Sequence, residues 1–373
     1  MSGLEWHGNL ELDDGYVRYS SDQASNPTVA VYDSRGRFVL GPMLTHDLGH
    51  EFLGHRFFLR LTGQVVAWAR EVPNNYQINA DDVYVQVGQQ GLWDFMAGRF
   101  LTWRVFRKGL GFDLYTLEDT GALSGTDFYQ PRDFFQHMYE VNAIFMRDPS
   151  IGPVGRAAIH LYPTSWSGIE LVGTYGHLNG AQNVLGGRLA FGIQPKNLFL
   201  LEYFSLLAGA EYQFQRPDQQ LFDSNNAPCN KCLTERTFGA GGSLAFTPLR
   251  PIELAFSYAW GRDETWAALS VQHVSDTTQS LGGYLQLDAG SLLMPRSLIA
   301  GGAWFWTEYR DKGGSNIYQG HQQIAAYLGY PLGFNNAVVK LVLSEAIGYQ
   351  QNLNPPNVNA HMYSARLRFA YYY

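Results

Sequence analysis

The chain ends in Met362-Tyr363-Ser364-Ala365-Arg366-Leu367-Arg368-Phe369-Ala370-Tyr371-Tyr372-Tyr373. Its odd positions, Tyr363, Ala365, Leu367, Phe369, Tyr371 and Tyr373, are apolar or aromatic, and Ser364, Arg366 and Arg368 stand between them. A repeat of two is the side-chain period of a strand, whereas a helix would scatter the arginines around its circumference. The two faces of this segment therefore meet unlike surroundings. A soluble sheet would bury the apolar face and stop in polar residues, but this strand stops on aromatics.

Working outward, Phe57 to Arg70 repeats the pattern. Phe57, Leu59, Leu61, Val65, Ala67 and Ala69 fall on one face, and Arg60, Thr62, Gln64 and Arg70 on the other. The run is far longer than the usual strand of about five or six residues. It suits a tilted segment that needs about nine to eleven residues in hydrocarbon, with extra at both rims. Two arginines on the second face require that face to be wet.

Composition points the same way. Charged residues make up 16% of the 373 residues and aromatics 15%, against roughly 25% charged in a soluble domain. That profile fits a surface of which one part faces neither water nor core. No stretch of about 18 apolar residues exists, which excludes a spanning helix. A barrel hides in such a composition because only alternate residues need face lipid. A net charge of −7 without a basic stripe argues against a nucleic-acid partner.

On these residues the closing strand resembles that of bacterial outer-membrane β-barrels, whose assembly machinery reads an alternating segment ending in an aromatic. Phe is usual there, and Tyr373 is a departure. The resemblance implies an all-β fold, a transmembrane antiparallel up-and-down β-barrel in contact with outer-membrane lipid, with residues 1–373 as one domain. Met1-Ser2-Gly3 leads directly into a strand pattern without a secretory signal, as expected of a mature form with an added start.

Taken in order, Leu4 to Leu12 alternates as a first strand, and Ser20 to Leu53, rich in Gly, Pro, Asp and His, reads as a long loop with Gly36-Arg37 at a turn tip. Within it, HDLGHEFLGH holds His46, His50, Glu51 and His55. A zinc-protease helix needs two histidines four apart with Glu after the first; here His50-Glu51 is followed by His55, one residue too far, and the glycines oppose a helix. A metal site is not expected.

Strands at Ile78 to Gly88 and Leu92 to Phe100 lead into GRFLTWRVFRKGLGFDLYTLEDTG, Gly98 to Gly121, which carries Arg99, Arg104, Arg107 and Lys108 ahead of Asp113, Glu118 and Asp119. Outer-membrane porins and export barrels often place Gly-Arg at a strand end before a basic, Gly-rich segment folded into the lumen, and this stretch is similar. Residues 104–131 then form an inward or periplasmic excursion whose charges set a local field. The plainer reading is a solvated loop whose charges pair with one another.

Further strands are expected from His137 to Arg147 through to the last. Short turns such as Gln194 to Asn197, Thr247 to Pro251 and Pro331 to Asn336 alternate with longer polar loops at Gln215 to Thr234, Asp311 to Asn316 and Gln350 to Asn357. Placing short turns at one rim and long loops at the other gives about sixteen strands, eighteen being the other count that fits. Thr265 to Val274 reads as either a hairpin arm or an extended loop. Trp304 and Trp306 lie on a strand apolar on both faces, and core packing is the default for them.

If the apolar set faces lipid, the other lines the lumen: Arg60, Arg70, Arg156, Arg188, Lys340, Arg366 and Arg368 with Glu140, Glu170, Glu253 and Asp288. For any single charge a salt bridge in the wall is the blander reading. Mixed signs suit diffusion of small polar solutes with mild selectivity. Cys229 and Cys232, in CNKC, read as a structural disulfide rather than a redox motif, since no strand-to-helix context surrounds them.

A channel narrowed by the Arg/Lys-rich segment is the leading function. The alternative is an exporter of an anionic polysaccharide with periplasmic partners. A homo-oligomer, as among sixteen-stranded porins, is implied by resemblance alone. An embedded hydrolase is disfavoured, because His160, His177 and His273 stand isolated and no G-x-S-x-G elbow occurs. No enzyme activity and no cofactor are expected.

Overall fold

The computed structural model describes residues 3–21, 28–70, 75–100, 102–103, 154–178, 182–198, 201–217, 221–222, 228–229, 234–249, 251–266, 273–288, 298–311, 318–332, 337–351 and 358–372. Its strands are β1 (Gly3–Ser21), β2 (Val29–Phe52), β3 (His55–Arg70), β4 (Asn75–Gln89), β5 (Trp93–Arg99), β6 (Val154–Thr164), β7 (Ser167–Leu178), β8 (Gln182–Ile193), β9 (Lys196–Leu198), β10 (Leu201–Pro217), β11 (Leu221–Phe222), β12 (Pro228–Cys229), β13 (Glu235–Leu249), β14 (Ile252–Trp266), β15 (His273–Asp288), β16 (Ile299–Asp311), β17 (Tyr318–Pro331), β18 (Ala337–Gln351) and β19 (Val358–Tyr372). β9 is a three-residue appendage to β10, and β11 pairs only with β12. The other sixteen form the wall.

Each wall strand is antiparallel to its sequence neighbours, and the sheet closes where Leu12 of β1 faces Gly36 of β2 on one side and Phe369 of β19 on the other. Closure gives every wall strand a paired neighbour on both sides, the condition for backbone in hydrocarbon. Along each strand the alternation is sharp. Leu171, Leu189 and Leu367 are 46%, 47% and 48% exposed on the outer face, while their neighbours Glu170, Arg188 and Arg368 are buried on the inner one. An apolar outer belt around a polar interior is what a lipid-embedded barrel requires.

β2–β3, β4–β5, β6–β7, β8–β10, β13–β14, β15–β16 and β17–β18 connect at the rim that also carries both chain ends. Among these, Leu53 and Gly54 both have positive φ, 55° and 77°, the geometry of a two-residue hairpin turn whose twist matches the strands. The opposite rim carries the long connections, including the one between β5 and β6 and that bearing β11 and β12. The short-long alternation is not strict, since the brief connections over residues 71–74 and 179–181 lie at the long-connection rim and the ten-residue connection over 289–298 lies at the turn rim.

The structure corrects several expectations. Most of Ser20 to Leu53 is not a loop but β2, the longest strand. Its outer residues Phe38, Leu40 and Leu44 alternate with inner Val39, Gly41 and Met43; the Gly, Pro and His content obscured this period. Gly36-Arg37 is no turn tip, being paired to β1 and β3 at mid-strand. Gly41 is where Gln64 of β3 reaches over β2 to His7 of β1, donating to Nε2 at 2.7 Å; a Cβ there would lie 2.4 Å from Gln64 Cγ. Residues 265–274 divide into the ends of β14 and β15 and the connection between them. Trp304 is not a core residue, because it points outward on the lipid-facing side. The expected strand over 137–147 lies outside the described residues.

Candidate functional site

The site starts at a glycine. Gly98 of β5 has φ +136°, a conformation that side chains rarely adopt, and a Cβ there would lie 2.3 Å from the Val83 carbonyl oxygen. One residue later β5 ends, after only seven residues. The chain then leaves the wall and runs back along its inner face, where β6, β7 and β8 each present a side chain to its backbone.

Arg156 of β6 donates through Nη1 to the Phe100 carbonyl at 2.6 Å. Arg188 of β8 donates through Nη1 to Thr102 Oγ1 and through Nη2 to the Trp103 carbonyl. Glu170 of β7 accepts the Trp103 N–H with both carboxylate oxygens, at 3.1 and 3.0 Å. Phe100 completes the first turn of the descent by packing edge-on against Tyr84, with ring centroids 6.0 Å apart. Neutral backbone groups that would be orphaned in the lumen thus find charged partners, and charge-assisted bonds are the stronger kind.

Beneath Trp103 lies a buried row set by strand register. Asp94 of β5 faces His160 of β6, which faces Glu170 of β7. His160 Nδ1 lies 2.6 Å from Asp94 Oδ1, and Nε2 lies 3.1 Å from Glu170 Oε2. Carboxylates accept only, so a ring that donates from both nitrogens carries a positive charge between two negative ones. Tyr162 donates to the other Asp94 oxygen at 2.8 Å, and Arg188 Nε stands 3.7 Å from Glu170 Oε1. Asp94, Arg156, His160, Glu170 and Arg188 are all at least 95% buried. Charges that deep persist only when paired and hydrogen-bonded. The Trp103 indole closes the row by stacking on the His160 ring.

The rest of the inner wall divides by sign. Lys340 of β18, Arg366 and Arg368 of β19, Arg37 of β2 and Arg60 of β3 form a basic sector; Glu11 of β1 lies 3.7 Å from Arg368 and 3.8 Å from Arg37. Arg60 also donates to Thr45 and Gln86. Across the barrel, Glu211 of β10 and Glu253 of β14 form an acidic sector, and Tyr284 donates to Glu253 at 2.6 Å.

The expected pore residues thus separate. Glu170 and Arg188 join the clasp; Arg60, Arg366 and Arg368 lie in the basic sector; Arg99 ends β5, facing Val83. Asp288 ends β15 at the turn rim, its N–H donating to the Pro251 carbonyl at 2.9 Å. Arg70 belongs to β3, and its side chain lies outside the described residues, as do Arg104, Arg107, Lys108, Asp113, Glu118 and Glu140. Cys229 stands in β12, and Cys232 lies outside the described residues. His46 and His50 are on β2, and His55 Nδ1 bonds the Gln90 carbonyl at 2.7 Å; no cluster of metal-ligating side chains occurs among the described residues.

Sequence reading missed Asp94, Trp103, His160 and Tyr162. A signal was available: His160 and Tyr162 share the inward parity of Arg156, so the histidine stood alone only along the chain.

No protein-family model and no characterised protein sequence matches the chain. Solved structures do. Over all of this chain it is similar to OmpT, an outer membrane protein of Vibrio cholerae, in its trimer form, with TM-score 0.53, 11% identity and 99% of that chain covered. An anion-selective porin from Comamonas acidovorans aligns over the full length of both chains, with TM-score 0.55 and 8% identity. The outer membrane channel DcaP of Acinetobacter baumannii aligns with TM-score 0.53 and 10% identity over 97% of its length. The chain has the closed sixteen-stranded fold of bacterial outer-membrane β-barrels, and its apolar outer belt makes it integral to that membrane.

Proposed function

We propose that the chain is an outer-membrane channel for passive diffusion of small hydrophilic solutes, narrowed by the segment that begins at Phe100. The observation that carries this reading is the clasp of Arg156, Glu170 and Arg188 on the backbone of residues 100–103. The basic run Arg104, Arg107 and Lys108 follows directly from a residue held inside the barrel. A polar lumen with opposed basic and acidic sectors supports the passage of hydrated solutes and a transverse field across them. Similarity in fold to an outer membrane channel and an anion-selective porin agrees with this, and the trimer form of the Vibrio protein supports a homo-oligomer.

The test is permeability of reconstituted liposomes to graded neutral sugars and to anionic oligosaccharides, with and without neutralisation of Arg104, Arg107 and Lys108. Faster passage or altered ion preference in the variants is expected, and no change would remove the constriction. A barrel that is closed to salt in planar bilayers yet passes an anionic polymer when periplasmic partners are added would favour the exporter instead.

A further inference from the structure

Next to the clasp, at the rim of short turns, the inner wall holds a cavity of about 730 Å³. Two glycines make it. Gly168 of β7 and Gly192 of β8 face each other in register on the inward side, so the wall there is bare backbone. Neither position has room to spare: a Cβ on Gly168 would lie 2.6 Å from the Trp103 ring, and one on Gly192 would lie 2.9 Å from Leu207 Cδ2. The recess is therefore bounded by the very groups that flank it.

Its flanks are aromatic. Trp103 and Tyr162 stand on one side, with ring centroids 5.9 Å apart and planes tilted by 41°. Tyr203 and Leu207 of β10 stand on the other, and Trp166 is at the turn. The polar groups at the rim of the recess are neutral but for one. Thr164 and Ser167 share a single hydrogen bond of 2.7 Å, which leaves one of their two hydroxyl protons for a ligand. Gln194 donates to Ser205 at 3.2 Å, and among the described residues Lys196 is the one cation lining the cavity. Among the described residues no carboxylate lines it, because the Asp94 and Glu170 oxygens are turned into the clasp.

Aromatic faces carry negative potential and attract C–H edges, while hydroxyl and amide groups set at a rim fix orientation. The ligand that meets both demands has an apolar face of axial hydrogens and an equatorial ring of hydroxyls. We propose that this recess is a binding subsite for a neutral pyranose sugar, poised at the turn-rim mouth of the barrel. Among the described residues an inorganic anion would have only Lys196 to meet it, and an aliphatic chain would leave the hydroxyls and the amide unmatched.

The experiment is saturation-transfer NMR on the full chain refolded in detergent, its fold checked by heat-modifiable migration, with glucose, maltose and gluconate as probes. Transfer to the ring C–H protons of glucose and maltose is expected, with gluconate at least tenfold weaker. Tyr203→Ala with Trp166→Ala should weaken the sugar signal about tenfold, and Gly192→Leu, which fills the recess, should abolish it. No transfer in the unaltered barrel, equal transfer from gluconate, or full transfer in the folded Gly192→Leu variant would each overturn the subsite. The measurement needs no conductance, so its outcome is separate from that of the channel reading.

Discussion

The indole of Trp103 lies parallel to the imidazole of His160, with 4.9 Å between ring centroids and 7° between planes. One residue belongs to the segment that leaves the wall and the other to the wall itself, so this stack, with the bonds from Glu170 and Arg188, ties the inward segment to the barrel. The ring beneath is held between two carboxylates, and a cation against an indole face adds attraction of about 0.5 to 2 kcal/mol.

Glu170 joins three partners: the Trp103 N–H, His160 and Arg188. Glu170→Ala leaves His160 and Arg188 buried without their carboxylate, at a cost of about 3–5 kcal/mol. The expected result is an earlier heat-induced shift in gel mobility together with larger single-channel conductance. A barrel equally heat-stable and no more conductive would show that the clasp does not hold the segment.

Trp103→Ala removes the stack but leaves the Trp103 backbone bonded to Glu170 and Arg188. The barrel should fold with unchanged strand content by circular dichroism and lose about 1 kcal/mol, the scale of one aromatic contact. Conductance should rise less than in Glu170→Ala. The reverse order would transfer the anchoring role from the backbone to the ring.

The opposed sectors predict ion preference. Replacing Arg366, Arg368 and Lys340 by glutamine should shift the zero-current potential in a salt gradient towards cations, and replacing Glu211 and Glu253 by glutamine should shift it towards anions. Each shift should shrink as salt rises, because the Debye length falls from about 10 Å at 0.1 M to about 3 Å at 1 M. Shifts of the same sign in both variants would refute separate sectors.

Outer and inner residues of one strand should respond oppositely to charge. Leu171 of β7 faces out, so Leu171→Arg should destabilise the barrel in vesicles by about 2–4 kcal/mol if it sits near the bilayer midplane. Thr174→Arg, on the buried inner face of the same strand, should cost less in urea unfolding and change conductance instead. Equal costs would contradict the assigned faces.

The sequence by itself determined the faces. Alternation in 57–70 and 362–373 reports a solvent difference that each strand meets locally, so it was legible one segment at a time, as were the short turns and a count near sixteen. The resemblance to outer-membrane porins also pointed to Gly98-Arg99 as a strand end, and β5 does end at Arg99. The same local reading failed for β2, whose outward Pro42 and His46 and inward Gly41 are loop-like in composition, although pairing fixes them as strand, Gly41 and Pro42 to β1 and His46 to β3. The clasp could not be read this way. Asp94 and His160 are 66 residues apart along the chain, and Arg188 and Trp103 are 85 apart. Their contact is decided by closure and register, which bring inward side chains of β5 to β8 onto one row, and by a backbone that turns back over them. Those contacts satisfy buried charges and backbone groups that no single strand could satisfy alone, and only the assembled barrel brings them together.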